Sequence, residues 1–127
     1  MLNKSSNSNI NGFTLVELMI VIAIIGLLSA MAVAIYSGYD CITKQNEAKS
    51  SLSTIHKAQT AYYAEYNNYA TNLSAINFSL KGKKNYSYNA GGNGNIFTAT
   101  AINGPKGDVW SINQDKVLTN TTKGCSQ

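Results

Sequence analysis

The chain has 127 residues, only 13% of them charged, with ten basic residues against six acidic ones and a formal net charge of +4. That length supports one modest core and excludes a multidomain enzyme. Every basic residue is a lysine, and the lysines are scattered from Lys4 to Lys123. Nucleic-acid binders gather Arg and Lys on one face to meet phosphates, so no specific nucleic-acid site is evident.

Residues 1–12, MLNKSSNSNING, are polar and carry one lysine, as suits a short segment left on the cytoplasmic side of a membrane. An ordinary secretory signal is cut after its apolar run. Here the candidate processing point, between Gly12 and Phe13, lies before that run, so the apolar segment survives processing. Phe13 to Tyr36 reads FTLVELMIVIAIIGLLSAMAVAIY, with polar side chains only at Thr14, Glu17 and Ser29. As a helix rising about 1.5 Å per residue it reaches roughly 36 Å, enough to cross a hydrocarbon core of about 30 Å.

Glu17 stands out, because a carboxylate inside a spanning helix costs on the order of 2.5 to 3.5 kcal/mol on insertion scales. One reading is local: in the first helical turn the helix dipole and nearby water stabilise it. The other needs a cut after Gly12, which gives Phe13 an ammonium group in the same apolar surroundings. That pair forms either within one chain or between two, and in the second case it sets the axial step of one helix against the next.

Beyond Tyr36 a helical pattern continues, with Ala48, Leu52, Ile55, Ala58, Tyr62, Tyr66 and Tyr69 at three- or four-residue spacing. Lys44, Gln45, Glu47, Lys49, Ser53, Lys57 and Glu65 fall between them, making this half amphipathic. Asn67 and Asn68 weaken the helix, and Asn72 with Ser74 suggests a loop. Strand-like alternation follows at Asn85–Asn89, Asn95–Ile102, Val109–Ile112 and Lys116–Thr119. The breaks are Ala90–Gly94 (AGGNG), read as a hairpin, Asn103–Gly107 with the only proline, and Asn113–Asp115. The expectation is an α+β fold, in which a small antiparallel sheet of three or four strands covers the apolar face of one long helix.

Cys41 and Cys125 are the only cysteines, and both fall on the exported side of the spanning segment, where oxidation is available. The leading reading is one intramolecular bridge between the C-terminal tail and the start of the soluble helix; the alternative is two unpaired or intersubunit thiols. His56 reads as a flank or surface residue with no metal set around it. Asp108 and Asp115 read as turn residues, with a cation-binding pair as the rival. No nucleophile with a base, phosphate loop or paired acid site appears, so neither catalysis nor a cofactor is expected.

The run Gly12-Phe13-Thr14-Leu15-Val16-Glu17 followed by LMIVIAIIGLL resembles the N-terminal signature of type IV pilins and of the pseudopilins of type II secretion. The resemblance is tight over residues 12–33 and looser through Tyr69. It implies a leader of residues 1–12, a transmembrane and filament-core helix over 13–36, and a soluble head over 37–127. It also implies a prepilin peptidase that cleaves between Gly12 and Phe13 and methylates the Phe13 amine, and a Glu17 that neutralises the Phe13 amine of a neighbouring subunit. The implied partners are identical subunits and the assembly machinery of the inner membrane. The implied location is that membrane for the precursor, with the head on the periplasmic side, and then an extracellular filament serving adhesion, twitching motility or DNA uptake. A pseudopilin, a minor pilin and a plain single-span protein with a binding head are the competing readings. One departure is Ala34, where many pilins carry proline. Without that obligatory break the helix is expected to be continuous, with Gly26 and Gly38 as its weaker points.

Overall fold

In a computed structural model, which describes residues 11–125, the chain divides into two units, Met1–Tyr36 and Ser37–Gln127. The expected leader falls almost wholly on residues 1–10, outside the described residues. One helix, α1, runs from Leu15 to Tyr66, passing Gly26, Ala34 and Gly38 without interruption. It contains no proline, and its first half is built of good helix formers together with β-branched residues that a fully apolar setting accommodates.

The periodic pattern extends to Tyr69, but α1 ends three residues earlier. Asn67 takes a left-handed conformation (φ 53), and its amide donates to the Tyr63 carbonyl at 2.8 Å. Asparagine tolerates that backbone better than most residues and closes the helix with a single αL-type bond. Tyr69, now in the following loop, still packs against the core, whereas Tyr66 is exposed. The loop is tied to the helix by Gln59: its amide nitrogen donates to the Ala70 carbonyl at 3.0 Å and its oxygen accepts from the Ala70 amide at 2.9 Å.

The second unit holds four strands, β1 (Ser87–Asn93), β2 (Ile96–Ile102), β3 (Val109–Asn113) and β4 (Leu118–Thr122). They form an antiparallel meander in the order β1-β2-β3-β4. Phe97, Ala99 and Ala101 of β2 point inward, with Ile112 of β3 and Tyr86 just before β1, onto Ala48, Leu52 and Ile55 of α1. The alternation in β2 sets that face, and its two alanines, Ala99 and Ala101, are fully buried in the core.

The first hairpin differs from the sequence reading. Ala90–Gly94 is mostly strand: β1 runs through Gly91 and Gly92 to Asn93, which pairs with Ile96. The turn is Gly94-Asn95, with Gly94 at φ 62, the sign a two-residue hairpin requires at its first central position. Gly92 is glycine because another stretch of backbone crosses it; a Cβ there would lie 2.7 Å from the Ala70 carbonyl oxygen. The last turn is also longer than expected. Asn113 Oδ1 accepts from the amides of Asp115 and Val117, and Lys116 adopts φ 62, so β4 starts at Leu118 and not at Lys116.

Candidate functional site

The N-terminal unit carries the first predicted site. Thr14 is the N-cap of α1: its carbonyl accepts the first helical bond, from the Leu18 amide at 3.2 Å, and its hydroxyl oxygen accepts from the Glu17 amide at 3.2 Å. Glu17, the third helical residue, reaches back, and its Oε2 accepts from the Thr14 amide at 2.8 Å and the Thr14 hydroxyl at 2.9 Å. This reciprocal arrangement is a capping box, which satisfies helix N-terminal donors with two side chains. The sequence reading identified Glu17 but overlooked Thr14 as its partner; the Thr-x-x-Glu spacing was the available signal.

Gly12 and Phe13 precede the helix, and Phe13 is 88% exposed. So is the rest of the apolar run: every residue from 11 to 40 is exposed. The third polar member, Ser29, donates its hydroxyl to the Ile25 carbonyl at 2.7 Å. Thr14, Glu17 and Ser29 are thus all satisfied within the helix, the condition for polar groups in hydrocarbon. The helix is long and apolar enough to cross a membrane.

The second unit carries the cysteines and an acid. Cys41, in α1, is bonded to Cys125, with Cα atoms 6.0 Å apart, as the intramolecular reading anticipated. Next to this bridge lies Asp108, which is fully buried and accepts five hydrogen bonds. Tyr86 Oη donates to its Oδ2 at 2.7 Å, Trp110 Nε1 at 2.6 Å and Gln45 Nε2 at 3.3 Å. Asn120 Nδ2 and the Gly124 amide donate to its Oδ1 at 3.0 and 2.9 Å. Burial acts to raise the pKa of this carboxyl, but the donors of Gly124, Asn120, Tyr86 and Trp110 together outweigh it and hold the group below the usual carboxylate range. The Tyr86 phenol is pushed the other way, first by burial and then by its bond to the Asp108 carboxylate.

Asp108 closes the Pro105–Gly107 turn with its backbone, its amide donating to the Pro105 carbonyl and its carbonyl accepting from the Gly104 amide, as the sequence suggested, but its side chain is a buried hub. Its oxygens are committed to donors, which argues against the cation-binding alternative, and among the described residues no three His, Cys, Asp or Glu side chains gather. Asp115 does behave as a turn residue, exposed and bonded to Gln114. His56 is half-buried, with Nε2 3.1 Å from the Gln114 carbonyl and its ring against Phe97.

Residues 7–33 match the prokaryotic N-terminal methylation motif, and residues 45–122 match the family model of type IV pilin-like G and H. The type IV major pilin protein PilA of Myxococcus xanthus is 34% identical over 112 residues, 86% of this chain and 51% of that protein. A fimbrial protein of Neisseria meningitidis is 34% identical over 116 residues, covering 82% of this chain and 67% of that protein. A Pseudomonas aeruginosa fimbrial protein is 49% identical, but over 47 residues, 37% of this chain and 30% of that protein. The chain thus spans about half the length of the Myxococcus relative and two thirds of the Neisseria one. The solved structure of a type IV pilin from Shewanella oneidensis overlaps 61% of this chain and 89% of that chain, with 20% identity and a TM-score of 0.44. On the family match across 45–122, and on the relatedness to the Neisseria fimbrial protein, the chain belongs to the type IV pilin-like family.

Proposed function

We propose that this chain is the structural subunit of a type IV pilus, made as a membrane-anchored precursor and polymerised through its N-terminal helix. The observation that carries the reading is an exposed apolar helix face, from Leu15 to Tyr36, whose one carboxylate is capped within its own chain. Such a face needs either lipid or other copies of itself to cover it. Relatives called major pilins and fimbrial proteins favour a filament subunit over a secretion pseudopilin.

In this reading a prepilin peptidase removes residues 1–12, cutting between Gly12 and Phe13, and methylates the new amine on Phe13. The helix first anchors the subunit in the inner membrane with residues 37–127 on the periplasmic side. On assembly the Glu17 carboxylate exchanges its Thr14 donors for the Phe13 ammonium of a neighbouring copy. That exchange replaces neutral donors to the carboxylate with a cationic one, so that both partners carry charge in a low-dielectric setting, where the gain is largest. The subunit then sits in an extracellular filament.

Intact mass and N-terminal sequencing of the chain recovered from sheared surface material test this. The expected species begins at Phe13, carries one added methyl group and retains the disulfide. A chain that keeps residues 1–12, or that begins beyond Glu17, overturns the proposal.

A further inference from the structure

The two sulfurs of the Cys41–Cys125 bridge have different surroundings. Cys41 is buried on α1, whereas Cys125 is half-exposed. Cys125 also lines a groove of about 580 Å³ in the second unit, and Cys41 is not among the described residues that line it. Lys49 of α1, Lys106 of the turn before β3 and Lys123 of the tail line the same groove. Among the described residues the only ion pair is Lys44 with Asp40, so no described carboxylate is paired with these three lysines.

The fold fixes the lysines around that sulfur. The Gly124 amide donates to Asp108 Oδ1 at 2.9 Å, which holds the tail one residue before Cys125. A Cβ at Gly124 would lie 2.2 Å from the Pro105 carbonyl oxygen, so the tail runs against the turn that carries Lys106. Lys123 precedes Cys125 by two residues on the other side of that contact. Asp108 lies behind this wall, buried, with both oxygens committed to donors.

A disulfide exchanges when a thiolate attacks one sulfur and expels the other, at a rate set by access and by which sulfur is attacked. Cationic, partly exposed surroundings favour thiolate chemistry, whereas a buried sulfur is inert. Cys125 meets those conditions and Cys41 does not. We propose that Cys125 Sγ is the reactive end of the bridge, exchanged through this groove by small thiols that carry a further negative charge. The small thiolate bonds to Cys125 Sγ as the Sγ–Sγ bond breaks, and the electron pair leaves on Cys41 Sγ, which takes a proton from solvent. In reverse, the Cys41 thiolate attacks Cys125 Sγ and expels the small thiolate, so one site both opens and closes the bridge. A carboxylate or sulfonate beside the attacking sulfur adds a second anion for the lysines to attract, and a groove of this size admits a small molecule. The proposal goes beyond the filament reading and holds for the isolated chain.

The experiment opens the bridge of full-length chain, in polyoxyethylene detergent at low salt, with mercaptoethanesulfonate, neutral mercaptoethanol and cationic cysteamine at equal thiolate concentration. Alkylation and intact mass count the new thiols, and peptide mapping after acid quench locates the mixed disulfide. The expected order is the sulfonate fastest and cysteamine slowest, with the spread narrowing as salt rises and the adduct on Cys125. Lys106 and Lys123 are exposed, so K106Q/K123Q keeps the fold. It is expected to slow the sulfonate about tenfold and to leave the mercaptoethanol rate unchanged. Equal rates for the three thiols, a sulfonate rate unchanged in K106Q/K123Q, a fall shared equally by mercaptoethanol, or an adduct recovered on Cys41 would each overturn the proposal.

Discussion

The Gly124 amide donates to Asp108 Oδ1 at 2.9 Å, one residue before the cysteine that joins the tail to α1. The buried acid and the disulfide thus restrain the same few residues, one by a covalent link and one by a hydrogen bond. Among the described residues no cation pairs with Asp108, which is held by hydrogen-bond donors. Removing the carboxylate leaves several of those donors buried without an acceptor, the costly direction for a hydrogen-bond change.

Replacing Asp108 with Ala is therefore expected to destabilise the second unit by about 3 kcal/mol or more, read as a fall in denaturation midpoint for the detergent-solubilised chain. The pH dependence follows from the depressed pKa of Asp108. A carboxyl that binds its proton less tightly when folded contributes its full stability above the ordinary value of about 3.9 and loses it as pH falls through the lower folded value. Wild type should lose stability below about pH 4 along a limb that Asp108→Asn flattens. Equal acid limbs in the two proteins would contradict the hub.

Tyr86 predicts the opposite limb. Its pKa is raised by burial and by Asp108, so it binds its proton more tightly when folded. Its contribution is complete below the ordinary tyrosine value of about 10 and declines as pH rises through the higher folded value. Tyr86→Phe should cost about 1 to 2 kcal/mol at neutral pH through the lost bond to Asp108, and should reduce the alkaline decline. Denaturation midpoints between neutral and strongly alkaline pH check both parts.

The disulfide closes a separation of 84 residues, and the chain-entropy relation assigns such a loop about 4.5 kcal/mol. Cys41→Ser with Cys125→Ser should lower stability by roughly 3 to 5 kcal/mol. Because both the bridge and Asp108 hold the tail, combining the serine pair with Asp108→Asn should cost measurably less than the sum of the two changes. Strict additivity in that cycle would mean that they act independently.

The outline of the fold was legible because it rests on local signals. The uninterrupted apolar run marked the first half of α1, and the alternation at Asn95–Ile102 marked β2, which forms at Ile96–Ile102. What was not legible depends on partners distant in sequence. Gly91 and Gly92 read as a turn because a glycine shows no side-chain pattern, and the backbone at Ala70 that requires Gly92 lies more than twenty residues away. Asp108 and Asp115 look alike in sequence, yet donors from α1, β3, β4 and the tail converge only on Asp108. Gln59 carries no local signal, because its partner, Ala70, lies beyond the end of the helix.

That Gln59 contact gives a further prediction. The side chain is fully buried and satisfies both the amide and the carbonyl of Ala70. Gln59→Leu keeps the volume but leaves two buried backbone groups unpaired, at about 1 to 3 kcal/mol each. Hydrogen exchange should show the Ala70 amide losing protection before the amides of β2, since the loop is released first. Unchanged exchange at Ala70 in a folded Gln59→Leu chain would show that the loop is held by something else.

The capping box makes it possible to separate two roles of Glu17. Glutamine at this position serves a capping box as well as glutamate does, so Glu17→Gln should preserve the bonds to Thr14 and leave the helix content by circular dichroism unchanged. It removes only the charge. If the carboxylate merely caps the helix, the variant should still be recovered in sheared surface filaments at the level of wild type. If it meets the Phe13 ammonium of a neighbour, filaments should be lost while the precursor accumulates in the membrane with its helix intact. Thr14→Val supplies the converse, since it removes the cap hydroxyl, at about 1 kcal/mol of local helix stability, and leaves the charge. Filament yield from the two variants, compared at equal chain abundance, decides which interaction assembly requires, and the filament reading expects the Glu17→Gln loss to be far the larger.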